Sequence, residues 1–139
     1  MHIADAILPL LQAASGVRQA GLIATQGTLD AGWYQQRLTD VGIEPLLPTA
    51  KEMTELFVPG CYAVKQGRLA QGGELLSELC ARLNGRGAER LILACTEVAP
   101  ALAAVQSRYQ PLSLDTTLAL AQAGVRLWLE HRPAVAASL

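Results

Sequence analysis

Short apolar runs recur along this chain between segments of helical periodicity, and that alternation restricts the available folds more than any other feature. Arg90-Leu91-Ile92-Leu93-Ala94 is the clearest run, too short for a helix and without polar alternation, as expected of a strand covered on both faces. Gly21 to Thr25 reads the same way and feeds a tight turn at Gln26-Gly27-Thr28. Ile43 to Pro48 is a third strand candidate, whose two prolines confine it to a sheet edge or to a few residues, and Pro111 to Leu114 is the last.

The intervening segments read as helices. Ile3 to Ala14 is amphipathic and stops before Gly16, and Leu29 to Val41 is closed by Gly42. Leu75, Leu76, Leu79, Cys80 and Leu83 form the stripe of a helix lying on a sheet. Val98 to Gln106 tolerates Pro100 in its first turn, and a last helix runs from Thr116 through Trp128. The stretch from Thr49 to Arg68, broken by Pro59-Gly60, reads as two short helices around a loop.

Strands alternating with helices predict an α/β fold: a three-layer α/β/α sandwich with a mainly parallel sheet of about four strands. One domain is expected over residues 1–129, with a frayed tail at 130–139. Ligands of such sheets bind at the carboxyl ends of strands. Three predicted strand ends carry polar clusters, Thr25 to Thr28, Cys95 to Glu97 and Asp115 to Thr117, and the topology is expected to bring them together.

Several function classes are disfavoured. Hydrophobic residues make up 51% and charged ones 17% with a formal net charge of -1, so there is no electrostatic footprint for nucleic acid or anionic membrane. No apolar run reaches the roughly 20 residues that span a bilayer. The apolar start lacks the basic residues of a signal peptide, and Asp5 interrupts it. The three cysteines have no CxxC spacing and the two histidines lie near the termini, so no metal site is expected. A reducing cytoplasm suits this cysteine usage.

Cys95 ends a buried strand and precedes a helix, where its sulfur faces a cleft and helix amides favour the thiolate. The alternative reading is a small apolar residue beside the core, the common fate of a free cysteine. Thr96 and Glu97 are open to a purely capping role. Cys80, on the apolar stripe, reads as core. Cys61 follows Pro59-Gly60, where a side chain is free to be exposed, and both are taken as structural. His2 and His131 read as solvated terminal residues, and Trp33, Trp128 and Phe57 as packing residues.

Ala94-Cys95-Thr96-Glu97-Val98 resembles the second cysteine motif of the aspartate/glutamate racemase family, Gly-Cys-Thr-Glu followed by an aliphatic residue. Leu22-Ile23-Ala24-Thr25-Gln26-Gly27-Thr28 with Tyr34 resembles that family's strand-and-threonine loop. Val64-Lys65-Gln66-Gly67 is similar to its Lys-x-Gly helix, and Leu114-Asp115-Thr116-Thr117 to its closing strand. His2-Ile3-Ala4-Asp5-Ala6 resembles the hinge where the second of the family's two similar halves begins, so the likeness is to a C-terminal half, from Met1 to about Leu129.

The resemblance implies an active site between two halves, each giving one cysteine. One thiolate removes the α-proton of a small acidic amino acid, the opposite thiol returns a proton, and no cofactor or metal takes part. It implies that Cys95 is one acid/base residue, that Thr25, Thr28 and Thr96 hold substrate carboxylate, that Lys65 is a cation for a carboxylate and that Glu97 binds or orients. Ala94 departs from the family glycine, and neither Cys61 nor Cys80 matches a family motif. One cysteine serves one face of the substrate, so the resemblance leaves a homodimer or a separate N-terminal half to supply the other. A catalytically silent carboxylate-binding half-domain, or one-base chemistry such as decarboxylation or proton exchange, is the alternative.

Overall fold

Leu22, Ile23, Leu91 and Ile92 have no accessible surface, and they belong to the two central strands of a four-stranded sheet. In the computed structural model, which describes residues 2–14 and 16–132, β1 (Gln19–Ile23), β2 (Glu44–Leu46), β3 (Arg90–Leu93) and β4 (Ser113–Asp115) pair in parallel in the order β2-β1-β3-β4. Parallel pairing leaves both faces to be covered by crossover helices, which is why the central strands β1 and β3 read as apolar runs. Each fully buried leucine or isoleucine contributes roughly 1.5–3 kcal/mol. The expected three-layer α/β arrangement is therefore observed. β2, with Pro45, sits at an edge, where a strand tolerates proline.

The helices are α1 (Leu8–Ala13), α2 (Gln26–Ala31), α3 (Trp33–Asp40), α4 (Ala50–Glu52), α5 (Val58–Lys65), α6 (Leu69–Gly85), α7 (Val98–Ala104) and α8 (Thr116–His131). Three segments differ from expectation. Residues 3–14 form a 3-10 turn, Ile3–Asp5, followed by the shorter α1. The helix expected from Leu29 to Val41 is two helices, because Gly32 takes a left-handed conformation (φ 76°) that ends α2 and starts α3. Residues 50–65, expected to be broken, are one continuous helical run: a π-helical turn, Met53–Phe57, joins α4 to α5. Pro59 follows directly on the π-helical turn, in the first turn of α5.

Gly60 does not break that run; it lets α6 approach. A Cβ on Gly60 would stand 2.8 Å from Leu76 Cγ, and one on Gly72 of α6 would stand 2.7 Å from the Gly60 carbonyl. Gly73 faces α7 in the same way, with the Ala101 carbonyl against it. The sequence thus spends helix propensity for backbone approach among α5, α6 and α7.

α8 runs on to His131, so the start of the expected tail is helical, and its residues 133–139 lie outside the described residues. His2 is not merely solvated: its Nδ1 accepts from the Ala4 N–H (3.1 Å), and its ring meets Trp33 edge-on with centroids 5.1 Å apart. Asp5 accepts from Arg37 of α3 (2.6 Å), a bond that holds its carboxyl below the usual range.

Candidate active site

From β1 the chain crosses to β2 on one side, and later reaches β3 on the other side of β1. The strand order reverses between β1 and β3, and such a switch point leaves a crevice at the carboxyl ends of the two strands. Their last residues, Ile23 and Leu93, are register partners, and Ala94 N–H continues the ladder to Ile23 O (2.9 Å). The loops that follow, Thr25 to Thr28 and Cys95 to Glu97, therefore start side by side.

Together they line a cavity of about 660 Å³. The helical run over residues 50–65 closes it with Met53, Thr54, Phe57, Val58, Cys61 and Lys65, so the π turn aims its side chains into the site. All six residues expected at the site, Thr25, Thr28, Lys65, Cys95, Thr96 and Glu97, line this one cavity. The third expected cluster does not join them. Asp115 caps α8 through the Thr117 N–H (3.0 Å), and the buried Thr116 hydroxyl donates to Leu93 O (3.1 Å), so both are committed to structure.

Glu97 is the centre of the polar network. It accepts at Oε2 from the Cys95 thiol (2.8 Å) and from the Thr96 hydroxyl (3.1 Å), and Oε1 lies 3.7 Å from Lys65 Nζ. Lys65 is largely exposed, so this pair is weak and the ammonium is free to swing to a ligand. Thr25 Oγ1 accepts from the Thr28 N–H (3.3 Å) as the cap of α2 and donates to Thr28 Oγ1 (3.1 Å), leaving Thr28 the hydroxyl proton for a ligand.

Cys61 was not expected here. It is buried on α5 with its sulfur 4.0 Å from that of Cys95. Its sequence position, 34 residues away in an irregular stretch, carries no signal of that meeting. A hydrogen bond from Cys61 holds the Cys95 thiol below its ordinary value, against burial and the Glu97 charge, with the Glu97 backbone N–H assisting. The same bond, with burial, pushes Cys61 far up, so Cys95 is the thiol that loses its proton first. α7 begins at Val98, three residues past Cys95, and the groups that favour the thiolate are the Cys61 thiol and the Glu97 N–H just before that helix. Glu97 is held below the usual carboxylate range, chiefly by the bond from Cys95. Cys80, fully buried on α6, is pushed up to about 12 by burial alone and plays no part.

Residues 1–124 match the family model described as Asp/Glu/Hydantoin racemase. The chain belongs to that family. Racemases are isomerases, and the crevice at the β1/β3 switch point is where this family member presents its cysteine. A relative from Pectobacterium carotovorum subsp. carotovorum, described only as an uncharacterized protein in the pnlA 3′ region, is 32% identical over 114 residues, which cover 81% of this chain and 75% of the relative. Among solved structures, a candidate Asp/Glu racemase from Yersinia pestis superposes with a TM-score of 0.77 at 25% identity, covering 92% of this chain and 55% of that one. An aspartate racemase homologue from Pyrococcus horikoshii OT3 has the same fold, with a TM-score of 0.74 at 24% identity over 91% of this chain and 55% of its own. This racemase-family chain thus spans about half the length of the solved structures it matches.

Proposed function

We propose that the chain is one catalytic half of a cofactor-independent amino-acid racemase, with Cys95 the acid/base on one face of the Cα of a small acidic amino acid such as aspartate or glutamate. The observation that carries this is the Cys95 thiol at the β1/β3 switch point, 2.8 Å from the Glu97 carboxylate and in a cavity lined by Lys65 and by Thr25, Thr28 and Thr96 among others. Thr28 offers its free hydroxyl proton to the α-carboxylate, Thr25 and Thr96 join it by turning their hydroxyl protons away from Thr28 and Glu97, and Lys65 offers a cation to a carboxylate. The Cys95 thiolate takes the α-proton, and the C–H electron pair moves into the α-carboxylate as an enediolate. Inversion then needs a thiol on the opposite face to return a proton to Cα, with no net change in charge or oxidation state.

Cys61 does not serve as that opposite thiol. Reacting atoms must approach to about 3–3.5 Å, so two sulfurs flanking one carbon stand roughly 6–7 Å apart; these two are at 4.0 Å, on the same side. We assign the second thiol to Cys95 of a second copy, related by a two-fold axis, which imitates the two similar halves implied by the family resemblance. The apolar outer face of α8 supports a docking surface for it, because Leu118, Val125, Trp128 and Leu129 are each at least half exposed. Three free thiols suit a reducing compartment such as the cytoplasm. No helix among the described residues is long and apolar enough to cross a membrane.

α-Proton exchange of L- and D-aspartate and glutamate in deuterated buffer tests the reading, comparing wild type with Cys95→Ala at several protein concentrations. Exchange with inversion is expected, rising more than linearly with concentration and falling by several orders of magnitude in Cys95→Ala. Exchange without inversion would mean one-base chemistry. Binding without exchange would leave a carboxylate-binding half-domain.

A further inference from the structure

We propose that Cys61, Cys95 and Glu97 form a binding site for one thiophilic divalent cation of the Zn²⁺ class, with a fourth position open to the cavity. The two sulfurs and a Glu97 carboxylate oxygen all lie within 4.8 Å of one another. Tetrahedral zinc with Zn–S bonds of about 2.3 Å sets its sulfurs about 3.8 Å apart, and the sulfur pair here is at 4.0 Å. The Cys95 Sγ to Glu97 Oε2 distance of 2.8 Å is shorter than the sulfur–oxygen edge of such a site, about 3.5 Å, so the carboxylate must rotate outward. Only the Cys95 thiol, the Thr96 hydroxyl and the weakly paired Lys65 hold it.

The spacing of cysteines along the chain hides this site, because α5 supplies one ligand and the β3–α7 connection the other two. Two thiolates and one carboxylate offset the cation's charge to a net of minus one, and each thiol gives its proton to solvent on binding. Three protein ligands and one open position form a site that a water or a ligand carboxylate completes. The cation takes the lone pair that Cys95 needs as a base. On the reading of Cys95 given above, occupancy and racemisation are therefore mutually exclusive, and a soft cation is an inhibitor that crosslinks α5 to the sheet.

The test is titration of the 139-residue chain, kept reduced with a phosphine, with Co²⁺ as the probe and Zn²⁺ as competitor, and without any amino acid present. One equivalent of Co²⁺ is expected to give a thiolate charge-transfer band in the near ultraviolet and the intense visible bands of tetrahedral cobalt, both abolished by one equivalent of Zn²⁺. Cys61→Ala and Cys95→Ala should each weaken binding at least tenfold, since loss of a supporting contact alone costs about 10–100-fold, while Cys80→Ala should bind as wild type does. Circular dichroism of each variant separates a lost ligand from a lost fold. Absence of the charge-transfer band in the folded wild type, or equal affinity in folded Cys61→Ala, overturns the proposal. Because the readout needs no turnover, failed binding leaves the racemase reading standing, and failed exchange with intact binding leaves the metal site standing.

Discussion

Among single residues, the thiols and the helix glycines are the most sharply defined by their surroundings. Cys80 has no accessible surface and a proton held by burial, whereas Cys95 faces the cavity and surrenders its proton more readily than usual. Alkylation by iodoacetamide under native conditions is expected to label Cys95 first and leave Cys80 unmodified until the chain unfolds; peptide mass spectrometry reads the order. Gly73 and Gly124 make a second contrast. A methyl on Gly73 meets the α7 backbone, while one on Gly124 of α8 meets nothing within 4 Å. Gly73→Ala should destabilise by about 1–3 kcal/mol through overpacking, and Gly124→Ala should stabilise by up to about 1 kcal/mol through helix propensity. Thermal denaturation of the pair checks both signs. Cys95 was legible in the sequence because strand, thiol and following helix are contiguous there. Cys61 was not, because its role depends on a contact across 34 residues that no local pattern encodes.

At the scale of elements, the segment over residues 50–65 is the instructive one. Pro59 and Gly60 are breakers by local preference, yet the first sits just past the π-helical turn and the second where α6 comes close, and the run continues through both. The segment is anchored at its start by Thr49, which exchanges two capping bonds with Glu52. Glu52 is buried and accepts from both terminal nitrogens of Arg86 (2.7 and 2.9 Å), tying α4 to the turn after α6. The Arg86 bonds hold the Glu52 carboxyl below its ordinary range in the folded protein. A depressed folded value means the contribution is fully present above the unfolded value, near about 4.3, and is lost as pH falls through the folded one. Glu52→Gln should therefore cost about 1–3 kcal/mol at pH 7 and progressively less towards pH 3; urea midpoints across that range measure it.

For the molecule as a whole, α8 is the element without a complete partner. Leu118, Ala121, Val125 and Leu129 recur at helical spacing on an exposed face, with Trp128 beside them, while only Thr116 and Ala119 of the helix are buried. A dimer through that face should sediment as a single species at micromolar concentration, and Val125→Glu with Leu129→Glu should return it to monomer with loss of inversion; analytical ultracentrifugation beside the exchange assay tests both. The sequence by itself determined the layers: apolar runs too short for helices must pair, and runs without polar alternation must be covered on both faces. It also determined the thiol and hydroxyl groups at two strand ends, because these lie within a few residues of the strands that carry them. Only the tertiary structure decided the strand order β2-β1-β3-β4, and with it the switch point between β1 and β3 where those two ends meet. It also decided that Asp115 to Thr117 would serve β4 and α8 instead of the cavity, and that Cys61 would stand beside Cys95. Pairing order and helix approach are set by contacts between residues far apart in the chain, and local periodicity carries no information about them.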